Sequence, residues 1–225
     1  MSENSALGPI EVPASVVSGR IDMIVHAELS PLGFERVRPR FWVEGLKRPI
    51  RRIFEFQPRK GARYCACWGF SLDFVPIKKG GRLRWKRTSK TAAFDLCIDP
   101  VNRISDVTES WCVSRFIFPL KAYDWNKFAR IARSAVLAAQ PDFAQVKSIE
   151  DIVSLFEQRS AMKFRTFQLD NYVQTHLAWG LCLIASGKAG DGERHLEKYC
   201  ADFSIDRGDR ILREAERQAI ELSLG

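Results

Sequence analysis

Residues 63–75 read Arg-Tyr-Cys-Ala-Cys-Trp-Gly-Phe-Ser-Leu-Asp-Phe-Val, and this run decides the fold. Tyr64, Ala66, Trp68, Phe70, Leu72 and Phe74 alternate with Cys65, Cys67, Gly69, Ser71 and Asp73. A period of two puts the aromatic set on one face of a strand and the small or polar set on the other. Pro76 closes the strand. A strand with one large apolar face needs neighbours beside it and a layer above it.

Toward the N-terminus the neighbours are visible. Pro49 to Gln57 carries Ile53-Phe-Glu-Phe56, a second strand. Phe34 to Val43 alternates as a third, with Arg36, Arg38 and Arg40 on one face, and Pro39 marks it as an edge or a bulge. Before it, Val17, Ile21, Ile24 and Ala27 recur at helical spacing over residues 14–29, and Pro-Leu-Gly ends that helix at Gly33. Toward the C-terminus, Gly80-Gly81 is a hairpin turn leading into the alternating run Arg82 to Arg87. Thr91 to Ile98 is a further strand, ended by Asp99-Pro100, while residues 101–120 fit neither period.

The rest reads as helix. Tyr123 to Ala139 has a helical stripe, broken by Gln140-Pro-Asp142. Ser148-Ile-Glu-Asp151 is a capping box opening a helix to about Arg159. Asn171 to Ser186, Glu193 to Phe203 and Asp206 to Leu222 follow, with residues 187–192 as a loop and Asp191 as the N-cap of the helix after it. The expected fold class is α+β: an N-terminal helix plus an antiparallel sheet of about four or five strands, then a helical C-terminal portion. The expected division is 1–142 and 143–225, the two parts packing either separately or as one unit.

Charge is unevenly spread. The 225 residues carry 35 Lys+Arg against 27 Asp+Glu, a net charge of +8. From Arg36 to Lys90 there are 17 basic residues and only Glu44, Glu55 and Asp73 as acids. That segment is +14 and the remainder −6. Arg36, Arg38, Arg40, Arg48, Arg51, Arg52, Arg82, Arg84, Lys86 and Arg87, with Trp85 for stacking, are the candidates for a polyanion-binding face. Two blander readings compete. Cations protect sheet edges from pairing, and the acidic helical half can neutralise them.

Other chemistries lack their signatures. Cys65-x-Cys67 does not have the spacing of a zinc knuckle, so the six cysteines read as reduced thiols of a cytoplasmic protein. Residues 1–15 carry no basic and apolar leader. The longest apolar run, Leu177 to Ala185, is too short to span a membrane. Gly69-Phe-Ser71 lacks the second glycine of a nucleophile elbow. His26, His176 and His195 stand beside no Ser or Cys in a motif. Glu55, Lys60 and Asp73 echo a metal nuclease only loosely. Gly187, Gly190 and Gly192 lack the strand and the Gly-Lys-Ser/Thr ending of a phosphate loop. Leu177 to Tyr199 is like one hairpin of a tetratricopeptide repeat, with Ala178, Gly180 and Ala185 small enough for close packing. No catalytic motif, metal or cofactor is expected.

Leu32-Gly-Phe34, Arg40-Phe-Trp42, Ile53 to Gln57, Trp68 to Pro76 and Arg84 to Lys90 together resemble the bacterial family known as domain of unknown function 4304. The resemblance covers about a third of the chain, implies a helix-plus-sheet fold, and supplies no activity and no functional residue. The expectation is a non-enzymatic binding protein whose basic sheet face engages nucleic acid or an acidic protein. The alternative is a protein–protein module, such as an immunity or defence accessory factor or a homodimer, acting through the helical half.

Overall fold

The structure, a computed structural model, describes residues 13–44, 49–59, 63–98, 112–113, 125–161 and 175–224. Expectations that rest on residues 1–12, Arg48, Lys60, most of 99–124 and the start of the helix expected from Asn171 lie outside them.

Among the described residues, helix α1 (Ala14–Leu29) comes first and eight strands follow: β1 (Phe34–Arg38), β2 (Phe41–Glu44), β3 (Ile50–Arg59), β4 (Arg63–Leu72), β5 (Ile77–Lys79), β6 (Arg82–Arg84), β7 (Leu96–Ile98) and β8 (Cys112–Val113). Among the described residues five helices follow: α2 (Trp125–Ala144), α3 (Ile149–Ser160), α4 (Thr175–Ala185), α5 (Ala189–Phe203) and α6 (Arg210–Ser223). The main sheet runs β1-β2-β3-β4-β7, every pair antiparallel, with β8 also beside β4. β5 and β6 form a separate hairpin. The molecule is α+β: an N-terminal helix, then the sheet, then helices in the C-terminal half.

The alternation in β4 builds the core. Ala66, Trp68, Phe70 and Leu72 are buried with Trp42, Phe54 and Phe56 from the neighbouring strands. Phe54 stacks on Trp68 with 6° between the rings. Val17, Ile21, Val25 and Leu29 of α1 and Phe128, Ala132, Val136 and Phe143 of α2 belong to the same cluster. The same cluster continues through Ile152 and Phe156 of α3, Leu177 and Leu181 of α4, Leu196 of α5 and Leu212 of α6. The intervening positions Phe41, Val43 and Ile53 form a smaller cluster with Ala92, against which Val37 and Phe94 pack.

Five local expectations change. The run Phe34–Val43 is two strands, because Pro39-Arg40 turns the chain; Arg40 has a φ of 58° and its N–H donates to Asp22 Oδ1 at 2.6 Å. Helix α2 does not stop at Pro141 but runs to Ala144. The donor that a proline lacks is offset by what the last turn gains: Phe143 packs on Phe34 and Phe70, and Asp142 accepts the Trp68 indole N–H at 2.7 Å. Position 142, the expected boundary, therefore lies inside a helix. Helix α5 starts at Ala189 rather than Glu193, so Asp191 sits in its first turn and caps nothing. The reason is close approach: a Cβ on Gly192 would lie 2.6 Å from the Gly180 carbonyl oxygen, so α4 and α5 meet at two glycines. Helix α6 starts at Arg210 rather than Asp206; the Asp209 carboxylate accepts the N–H groups of Ile211 and Leu212 at 2.8 and 3.2 Å. By contrast, the capping box at Ser148 and Asp151 forms as the sequence predicts.

The expectation of reduced thiols fails at Cys65, which is disulfide-bonded, whereas Cys67, Cys97, Cys182 and Cys200 are free. Cys65 lies opposite Cys112 in the β4–β8 register. That strand falls in the stretch whose periodicity was ambiguous. The cysteines therefore no longer argue for a reducing compartment. No helix among the described residues is long and apolar enough to cross a membrane.

A candidate anion-binding cleft beside the last helix

The arginine row of β1 and β2 is not one face of free cations, although Arg36 and Arg38 are exposed. Arg36 pairs with Asp22 of α1 at 2.9 Å. Arg38 lies 3.5 Å from the Phe41 ring centre and donates to the Ala92 carbonyl at 3.4 Å. Arg40 donates to Ser18 Oγ at 2.6 Å and reaches over the Tyr64 ring. A register shift between Arg36 and Arg38 in the β1–β2 pair accompanies their different surroundings: Arg36 and Arg40 bond to α1, whereas Arg38 packs against the smaller cluster. Arg52 pairs with Glu44 at 3.0 Å.

Arg51 and Lys86 leave the candidate set altogether, because both are buried. Arg51 is 2% exposed; it pairs with Asp73 at 3.0 Å and donates to the Arg87 carbonyl. Lys86 is 1% exposed; its ammonium donates to Asp95, to Ser71 Oγ at 3.1 Å and to the Leu72 carbonyl at 3.1 Å. Burial of this kind demands a partner for each charge, and the partners are fixed in the core. The neutralising acids come from α1, β2 and the stretch between β4 and β7. The acidic C-terminal helices supply none of them.

What remains open is elsewhere. Gly80 and Gly81 have φ of 60° and 77°, the two positive values that a two-residue hairpin turn requires. They let β5 and β6 pair directly, Lys79 opposite Arg82. Leu83 is buried, so the alternation sends Arg82 and Arg84 to solvent. Trp85 is half-buried against the core, and the Arg87 guanidinium stands 3.9 Å from its ring centre. Across from this hairpin lies α6, whose buried residues Leu212, Ala215 and Ala219 seat it on the core. That placement turns Arg210 and Arg213 outward, beside Trp85.

Trp85, Arg210, Ile211, Arg213, Glu214 and Arg217 line one open cleft of ≈ 470 Å³. Its floor is apolar, from the indole and Ile211. Its rim is cationic. Glu214 and Arg217 cancel locally, through hydrogen bonds of 2.7 and 3.0 Å. Those bonds and one from Gln218 hold the Glu214 carboxyl down to about 2, so it stays ionised at any ordinary pH. No ion pair forms at Arg82, Arg84, Arg210 or Arg213 among the described residues. Unpaired guanidinium groups around an aromatic floor are suited to phosphate oxygens and a stacked base.

Sequence reasoning found Arg82, Arg84, Trp85 and Arg87 but missed Arg210, Ile211 and Arg213. Arg210, Arg213 and Arg217 stand at i, i+3 and i+7, one helical stripe. That signal was available, but it lies in the half whose net charge is negative.

The remaining candidates do not assemble. Glu55 lies opposite Cys67 on β4, six residues before Asp73, which puts the two carboxylates roughly 20 Å apart along the strand. Asp73 pairs with Arg51, and Glu55 accepts from Gln57 at 2.8 Å. His176 and His195 are brought together by the α4–α5 hairpin, with their Nδ1 atoms 2.8 Å apart and the His195 ring 4.3 Å from that of Trp179. Residues 19 positions apart on two helices leave no sequence signal of this kind. No group of three or more His, Cys, Asp or Glu among the described residues is placed to hold a metal ion. Comparison with protein-family models, curated proteins and solved structures gave no match.

Proposed function

We propose that this protein acts by binding nucleic acid, through the cleft between the β5–β6 hairpin and α6. The observation that carries the reading is the half-buried Trp85, with Arg87 against its ring and Arg210 and Arg213 beside it in the cleft, from two segments far apart in sequence. Each guanidinium near a phosphate displaces condensed counterions, so affinity depends on salt. A fluorescent oligonucleotide titrated at about 50 and about 200 mM salt is the test, because a protein with several phosphate contacts loses affinity steeply over that range. Tight binding at the lower salt that weakens sharply at the higher supports the function. No binding at the lower salt refutes it.

A further inference from the structure

We infer that the cleft selects single-stranded over double-stranded nucleic acid, by taking one unstacked base onto Trp85; this rests on the nucleic-acid function proposed above. The cations alone would not discriminate, since phosphates are present on both. The recessed floor does. Trp85 is half-buried and Ile211 is packed on the core, so the indole does not stand proud of the surface as a wedge between base pairs would. A base reaches it only by leaving its own stack. A duplex pays for that unpairing and unstacking, and a single strand does not.

The cleft has room for such a group. Its ≈ 470 Å³ falls within the range of pockets that enclose small organic ligands, and is far short of what a duplex would need. The Arg87 guanidinium already sits over the indole, 3.9 Å from its centre. A base that displaces Arg87, or stacks on its guanidinium plane, extends an existing stack. The carboxylate of Glu214 also lines the cleft. Its charge is already paired with Arg217, and its carboxylate oxygens can accept hydrogen bonds from exocyclic amines. The base therefore belongs on the Trp85–Glu214 side, and the flanking phosphates belong with Arg210 and Arg213.

Fluorescence anisotropy with a short labelled single strand, its blunt duplex and inorganic polyphosphate as competitor tests this. The expected result is at least about tenfold tighter binding of the single strand than of the duplex at equal salt, a ratio one lost stacking contact can account for. Trp85→Leu should erase that ratio, and Trp85→Phe should keep most of it. If Trp85→Leu does not fold by circular dichroism, Arg87→Gln is expected to narrow the ratio instead. Equal binding of strand and duplex overturns the inference and leaves the nucleic-acid function standing, as does a single-strand preference unchanged in the Trp85 and Arg87 variants. Absence of binding to either nucleic acid overturns both.

Discussion

Lys86 shows how misleading a single residue type can be. In sequence it is one more cation in the run Arg82-Leu-Arg-Trp-Lys-Arg87. In the fold it is a buried ammonium locked to Asp95, whose carboxylate also accepts the Leu72 N–H at 2.7 Å. A charge removed from water is tolerated only while its partner is present. Lys86→Met alone should therefore cost about 3–5 kcal/mol of stability, because it strands the Asp95 charge. Lys86→Met combined with Asp95→Asn should recover much of that loss, as read by urea denaturation. Burial pushes the Asp95 carboxyl up to about 6, with the Lys86 ammonium pulling the other way. A carboxyl whose pKa is raised on folding stabilises the protein below its ordinary value near 3.8, and that contribution is lost as pH rises through about 6. The stability difference between the natural protein and Asp95→Asn should fall from pH 4 to pH 6; a rise over that window would contradict this assignment. None of this was legible beforehand, since alternation says which way a side chain points and not what it meets there.

At the scale of elements, the long periodic segments were the legible ones. Helix α1 and the capped helix α3 match their predicted limits closely, and the aromatic face of β4 is the core face. Failures cluster where tertiary contact overrides a local rule. Pro141 should end α2, but Phe143 and Asp142 find partners on the sheet. Glycines at 190 and 192 should make a loop, but the second lets α5 touch α4. Gly69 belongs to the same class. It looks like half of a nucleophile elbow, yet its role is to admit β7: a Cβ there would lie 2.0 Å from the Leu96 carbonyl oxygen. Gly69→Ala should push β7 away and cost about 1–3 kcal/mol, the range for overpacking a tight interior. Hydrogen exchange would locate the damage, with Leu96 to Ile98 losing protection before the amides of β3. Unchanged protection in β7 would show that the glycine is not what admits that strand.

For the whole molecule, the net charge of +8 proved the least informative number and its segregation the most. A +14 segment beside a −6 remainder suggests either an open basic face or mutual neutralisation. The fold does neither as a block. Among the sheet-side arginines, Arg36, Arg52 and Arg51 are paired with nearby acids, Asp22, Glu44 and Asp73. The hairpin meets α6, whose adjoining stripe adds cations. The polyanion proposal therefore moves from the arginine row of β1 and β2 to the cleft that Trp85 and α6 line. The direct test is a pair of neutralising substitutions, one at each location, assayed for oligonucleotide affinity across a salt series. Arg213→Gln should weaken binding and lower the slope of log affinity against log salt by about 1, the signature of one lost phosphate contact, while Arg36→Gln leaves both unchanged. The opposite outcome, loss at Arg36 with none at Arg213, would contradict the account.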